Sequence, residues 1–146
     1  MKTIVITLMV CLYGMQSFAQ NPDSAQFYFQ KGKADFDGRL YLSASKNFDK
    51  AIHYNADFTE AFIQNGKAHL EMSKVYEASQ NFTRAYELQP GNAEVIKELA
   101  HLYFNSRQYN KAMELVAKCI NCENSDLLLG MGYYHMEDYA KAAEHL

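Results

Sequence analysis

A period of 34 residues constrains this chain more than any other feature. Gly32, Gly66 and Ala100 stand 34 apart, as do Ala44, Ala78 and Ala112; Phe48, Phe82 and Val116; and Ala51, Ala85 and Cys119. Large apolar residues keep the same register at Tyr28, Phe62 and Ile96, and again at Tyr41, Val75 and Tyr109. The step then shortens to 30, from Ala100 to Gly130, Tyr103 to Tyr133, Tyr109 to Tyr139, Ala112 to Ala142 and Val116 to Leu146, so a fourth unit begins four residues early. Self-similarity at this spacing marks stacked repeats, in which each unit buries its apolar face only against its neighbours.

Within a unit, apolar residues recur at spacings of three and four on either side of a short turn, the pattern of two amphipathic helices. In the second unit it predicts a first helix from Phe58 to Met72 and a second from Val75 to Leu88. Start signals accompany the pattern. Asn21 precedes Pro22, Asp57 stands three residues ahead of Glu60 in a capping-box-like arrangement, and Pro90-Gly91-Asn92 breaks the chain before the third unit. Small residues in the Gly32 and Ala44 columns let two helix axes approach, and the large residues between them fill the seam. The expected fold is all-α, an α-solenoid of stacked antiparallel helix pairs.

These residues give the chain its resemblance to the tetratricopeptide repeat family, whose 34-residue motif has a large residue at position 4, Leu-Gly at 7 and 8, Tyr at 11, Ala at 20, an aromatic at 24, Ala at 27 and Pro at 32. In the second unit Phe62, Gly66, Ala78, Phe82, Ala85 and Pro90 fall on those positions, and in the fourth Leu129-Gly130, Tyr133 and Ala142 do so, with Tyr139 continuing the column of Tyr41, Val75 and Tyr109. Departures occur at position 11, which holds Asp35 and His69 in the first two units, at position 32, where the first has Ala56, and at Cys119, where Ala is usual. The resemblance divides residues 20–146 into units at about 25–58, 59–92, 93–122 and 123–146, the last incomplete, and implies a right-handed superhelix.

The resemblance also implies a function. First helices of successive repeats line a concave surface that holds a peptide or a partner helix, through positions 5, 9 and 12. Position 5 is Phe29, Ile63, Lys97 and Leu127; position 9 is Lys33, Lys67, His101 and Met131; position 12 is Phe36, Leu70, Phe104 and Tyr134. The position-12 column reads either as an apolar groove strip or as ordinary packing between repeats. The lysines read either as a bias toward acidic partners or as a solvated surface. One subtype of the family grips a free C-terminal carboxylate with Asn at position 9 of its first repeat. Lys33 stands there, so that ligand is not carried over.

Residues 1–19 have the form of a secretory signal: Lys2, the apolar run Ile4 to Leu12, and Ser17-Phe18-Ala19 before Gln20. Removing it leaves Cys119 and Cys122 as the only cysteines, in a compartment that permits disulfides, and no further membrane span. The pair reads as a structural disulfide or inert thiols, as a redox pair, or as half of a metal site. Its expected place at a helix C-terminus disfavours a reactive thiolate, and it lacks the second ligand pair of a zinc site. His53, His69, His101, His135 and His145 are scattered; His101 and His135 can approach on neighbouring first helices, without a carboxylate or thiolate to complete a metal site.

The formal charge is −3, one unit more negative without Lys2, so no basic excess exists for nucleic acid. Hydrophobic residues at 49% with two prolines argue against disorder. No nucleophile–base motif, phosphate loop or paired carboxylates appear, so neither catalysis nor a cofactor is expected. The leading expectation is an exported, periplasmic or secreted, non-enzymatic module that binds a protein or peptide partner as a scaffold. Alternatives are a spacer or assembly region of a longer envelope protein whose activity lies beyond Leu146, and thiol–disulfide exchange through Cys119 and Cys122. The break at Leu146, at position 24 of the fourth unit, favours a fragment of a longer protein.

Overall fold

The computed structural model describes residues 21–119 and 125–146, which form eight helices and no strand. The first pair is α1 (Pro22–Asp37) and α2 (Tyr41–Tyr54), the second α3 (Thr59–Glu71) and α4 (Val75–Leu88). The third is α5 (Ala93–Asn105) and α6 (Tyr109–Ala117), the fourth α7 (Ser125–His135) and α8 (Tyr139–His145). Each helix packs on the next in sequence, and α1 also touches α3, so the pairs form a linear stack with first helices side by side. The expected solenoid of helix pairs is what forms. The expected signal at residues 1–19 lies outside the described residues.

Helix starts follow the local chemistry, with one correction. Asn21 Oδ1 accepts from the Ser24 amide at 3.1 Å, and Asn92 Oδ1 accepts from the amides of Glu94 and Val95 at 3.1 and 3.3 Å. Both satisfy donors that a helix N-terminus leaves open. Asp57 does not cap α3. The Asp57 amide instead donates to Asn55 Oδ1 at 3.1 Å, which makes Phe58 the cap residue, and Phe58 has no side-chain acceptor.

The turns inside the pairs are alike and keep the sequence period. Arg39, Ser73, Arg107 and Glu137 have φ of 60°, 59°, 58° and 64°, the left-handed region. Behind each, an amide reaches back five residues: Leu40 to Asp35, Lys74 to His69 and Gln108 to Tyr103 at 2.8 Å, and Asp138 to Tyr133 at 3.0 Å. This is the Schellman closure of a helix C-terminus, usually made with glycine, and here made by four residues that carry a Cβ.

Inside each pair, position 8 faces position 24. A Cβ added at Gly32 comes within 2.6 Å of the Phe48 ring, one at Gly66 within 2.7 Å of Phe82, and one at Gly130 within 2.7 Å of Leu146. Phe48 and Phe82 are fully buried, each in its own apolar cluster. In the third unit both members change together: Ala100 replaces the glycine and Val116 the aromatic, and they share one cluster. A smaller partner makes room for the extra methyl.

Two stability outcomes follow. Gly66→Ala destabilises the chain by about 1–3 kcal/mol, because the new methyl overpacks against Phe82. Arg107→Gly raises stability by about 0.5–1 kcal/mol, since relief of the left-handed strain exceeds the added entropy of the unfolded glycine. Urea melts followed by helical circular dichroism measure both.

Candidate partner-binding groove

The first helices place the expected groove residues unequally. Phe29 and Ile63 are not on the open face: they are 9% and 2% exposed and belong to the core. The cause is packing both within the pair and against the neighbouring unit: Phe29 lies 5.8 Å from the Phe48 ring of α2 and shares a cluster with Ala61 and Ala68 of α3. Phe29 meets the Phe58 ring, just ahead of α3, at 4.7 Å, and Ile63 shares a cluster with Val95 and Leu99 of α5. In the same column Lys97 and Leu127 are exposed, Leu127 by 49%.

At position 9, Lys33 and His101 are exposed. Lys67 is half-buried and forms an ion pair and hydrogen bond with Glu94, at the start of the adjacent first helix α5. Position 12 resolves into packing with an open edge. Phe36 lies edge-on to Tyr41 at 5.4 Å, Leu70 is half-buried in the second cluster, and Phe104 meets Tyr109 at 6.2 Å. Tyr134 is 57% exposed and edge-on to Tyr139 at 5.6 Å.

The face therefore has two ends. Lys33, the Lys67–Glu94 pair, Lys97 and His101 make one end polar. Leu127, Met131 and Tyr134, at spacings of four and three on α7, make the other apolar, with Met131 43% exposed.

The two departures at position 11 are explained by polar partners on second helices. Asp35 accepts from Ser43 Oγ at 2.6 Å and from Asn47 Nδ2 at 2.7 Å, both on α2. His69 Nε2 lies 3.3 Å from Ser45 Oγ, and Asn65 Nδ2 donates to Asp49 Oδ1 at 2.7 Å, so α3 meets α2 through polar groups beside the apolar contacts of Ala61 and Ala68. In the third and fourth units, where position 11 is tyrosine, a lysine from the pair's second helix lies over the ring: Lys111 over Tyr103 at 5.6 Å and Lys141 over Tyr133 at 5.3 Å.

The remaining candidates fall away from the groove or outside view. Cys119 is disulfide-bonded; Cys122 lies outside the described residues, so the expected pairing is not described. His135 stacks on Tyr109 at 5.0 Å, and His145 Nδ1 lies 3.2 Å from Asp126 Oδ1. Among the described residues there is no group of three His, Cys, Asp or Glu able to hold a metal, and no helix long and apolar enough to cross a membrane.

The tetratricopeptide repeat family matches the chain over residues 69–126. Among solved structures, a MamA chain (residues 41 to the end) from Desulfovibrio magneticus RS-1 is 18% identical, with 87% of this chain and 73% of that one covered at a TM-score of 0.76. The Sgt2 TPR domain from Aspergillus fumigatus is 16% identical, with 89% of each chain covered at a TM-score of 0.70. The first TPR of Spaghetti (RPAP3), solved bound to the HSP90 peptide SRMEEVD, is 13% identical, with 86% of this chain and 95% of that one covered at a TM-score of 0.65. No curated protein sequence matches the chain.

The Lys67–Glu94 pair is partly open to water, which screens it. Glu94→Gln accordingly shifts stability by less than about 1 kcal/mol. A urea midpoint displaced well beyond that shows the pair to be a structural tie between the second and third units.

Proposed function

The chain is a tetratricopeptide repeat protein, and we propose that it is a non-enzymatic module that holds a peptide or partner helix across its first helices. One observation carries the reading: Leu127, Met131 and Tyr134 form an open apolar stripe on α7, on the same side as the lysine-bearing first helices. Such a stripe matches the anchor spacing of an amphipathic helix or the alternate side chains of an extended segment. Proteins of this fold include one solved with a bound peptide, which supports a peptide-holding role. The peptide itself is not carried over, because Lys33 occupies the position of the clamp asparagine.

In this proposal the module is exported and acts as a scaffold in an envelope or secreted assembly. The Lys2-led apolar N-terminus supports export, and the disulfide at Cys119 suits an oxidising compartment.

The test is selection of a random displayed-peptide library on the full chain, followed by affinity measurements on variants. Tyr134→Ala and Leu127→Ala each weaken the selected peptides by about tenfold or more, as loss of a buried anchor does. The double variant Lys33→Glu with Lys67→Glu weakens acidic peptides selectively. Peptides that bind all these variants as well as the parent place the binding surface elsewhere.

A further inference from the structure

We propose that the seam between the first and second units is a pH-sensitive joint, closed while His69 is neutral and loosened when its ring takes a second proton. Beside the apolar contacts of Phe29, Ala61 and Ala68, the seam carries a ladder of four polar side chains: Ser45 and Asp49, one turn apart on α2, face Asn65 and His69, one turn apart on α3. Ser45 is buried and Asn65 is 1% exposed, while His69 is half-buried and Asp49 exposed, so the ladder runs from the inside of the stack to its surface. Two of its atoms, Asn65 Oδ1 and His69 Nδ1, are buried without a hydrogen-bond partner.

In the neutral ring one nitrogen carries hydrogen and the other accepts. With the Ser45 hydroxyl donating to Nε2, the hydrogen sits on Nδ1, and the partnerless Asn65 Oδ1 one helical turn earlier is an acceptor of the matching kind. A second proton turns Nε2 into a donor, so Ser45 must reverse its hydroxyl, and a net charge is added in a partly dry seam. The charged groups facing the ring are Asp49 from α2, Lys74 from the turn after α3 and Glu77 from α4. Burial is the largest influence on the ring and Lys74 adds to it; together they outweigh the two carboxylates and hold its pKa below the ordinary value.

The sign follows from linkage. The unfolded chain takes up the proton near pH 6.5, whereas the closed seam resists it, so stability is intact above about that pH and declines as pH falls below it. The next seam has no such response, because the equivalent residues are Leu99 and Tyr103. Opening the joint moves α1, which carries Lys33, relative to α3, which carries Lys67. The polar end of the groove changes shape whether or not a partner is present.

The experiment uses the full chain without a partner. The His69 ring is titrated by nuclear magnetic resonance, and amide-exchange protection factors are measured at pH 7.5 and 5.0 in the parent and in His69→Tyr, which installs the tyrosine of the third and fourth units. The expected result is a His69 midpoint below 6.5 and a fall of about threefold or more in protection of α1 and α2 in the parent, relative to α5, that is absent from the variant. A midpoint at or above 6.5, or an equal fall in parent and variant, overturns the proposal. If His69→Tyr does not fold, the ring midpoint and the parent's helix-by-helix protection decide the matter.

Discussion

The structure depends on how closely the two helices of a pair approach. At Gly32 and Gly66 a phenylalanine ring of the second helix occupies the space where a side chain would begin. The glycine is conserved along the chain's own repeats because the ring needs the volume, and the ring is retained because the glycine leaves a hole that would otherwise be empty. The third unit supports this reading. A methyl enters at Ala100 only where the ring has shrunk to Val116. With that distance fixed inside each pair, the Schellman turn at the end of each first helix falls at the same place in every unit, and successive first helices come to lie side by side.

The contacts between pairs are less uniform than those within them. Between the first and second units the polar groups Ser45, Asp49, Asn65 and His69 lie beside an apolar cluster that includes Phe29, Ala61 and Ala68, whereas the cluster joining the second and third units contains Ile63, Phe82, Val95 and Leu99. Stability of a stacked-repeat protein is close to a sum of unit and nearest-neighbour terms, so unequal seams give unequal local stability. Apolar burial contributes about 25 cal/mol per Å², while a neutral hydrogen bond adds only about 0.5–1.5 kcal/mol net and leaves a cost wherever an atom stays unpaired. The first seam thus sets the cost of its unpaired atoms against the apolar burial shared by Phe29, Ala61 and Ala68.

The repeat was legible in the sequence because the contact that creates it needs one small and one large residue at fixed spacing. Features set by a neighbour were not. Phe29 and Ile63 have the helical register of groove residues, and the packing around them, from the following unit for Ile63 and from both units for Phe29, decides that they are covered. Nor does periodicity reveal the Lys67–Glu94 pair, whose members lie 27 residues apart on different helices. Asp57 and Glu60 have the spacing of a capping box, but Asn55 captures the Asp57 amide first. The left-handed turn residues went unread because none is glycine; the backbone bond that reaches back five residues holds Arg39, Ser73, Arg107 and Glu137 in that conformation at some cost. His69 and Asp35 were visible as departures at position 11, though their partners on α2 were not.

In the proposed binding mode the two ends of the groove contribute differently. An ion pair as open as Lys67–Glu94 is worth about 0.2–1 kcal/mol, so a partner carboxylate that replaces Glu94 gains little beyond what it displaces. Covering one Leu, Met or aromatic side chain contributes about 1.5–3 kcal/mol. Affinity for a segment lying along the first helices therefore resides mainly at Leu127, Met131 and Tyr134. The lysines orient the partner and set its register, because a carboxylate placed beside Glu94 without reaching Lys67 meets like charge. With Phe29 and Ile63 already covered, the polar end has little apolar surface left to bind with, so the direction in which a partner lies is fixed by where its apolar anchors fall.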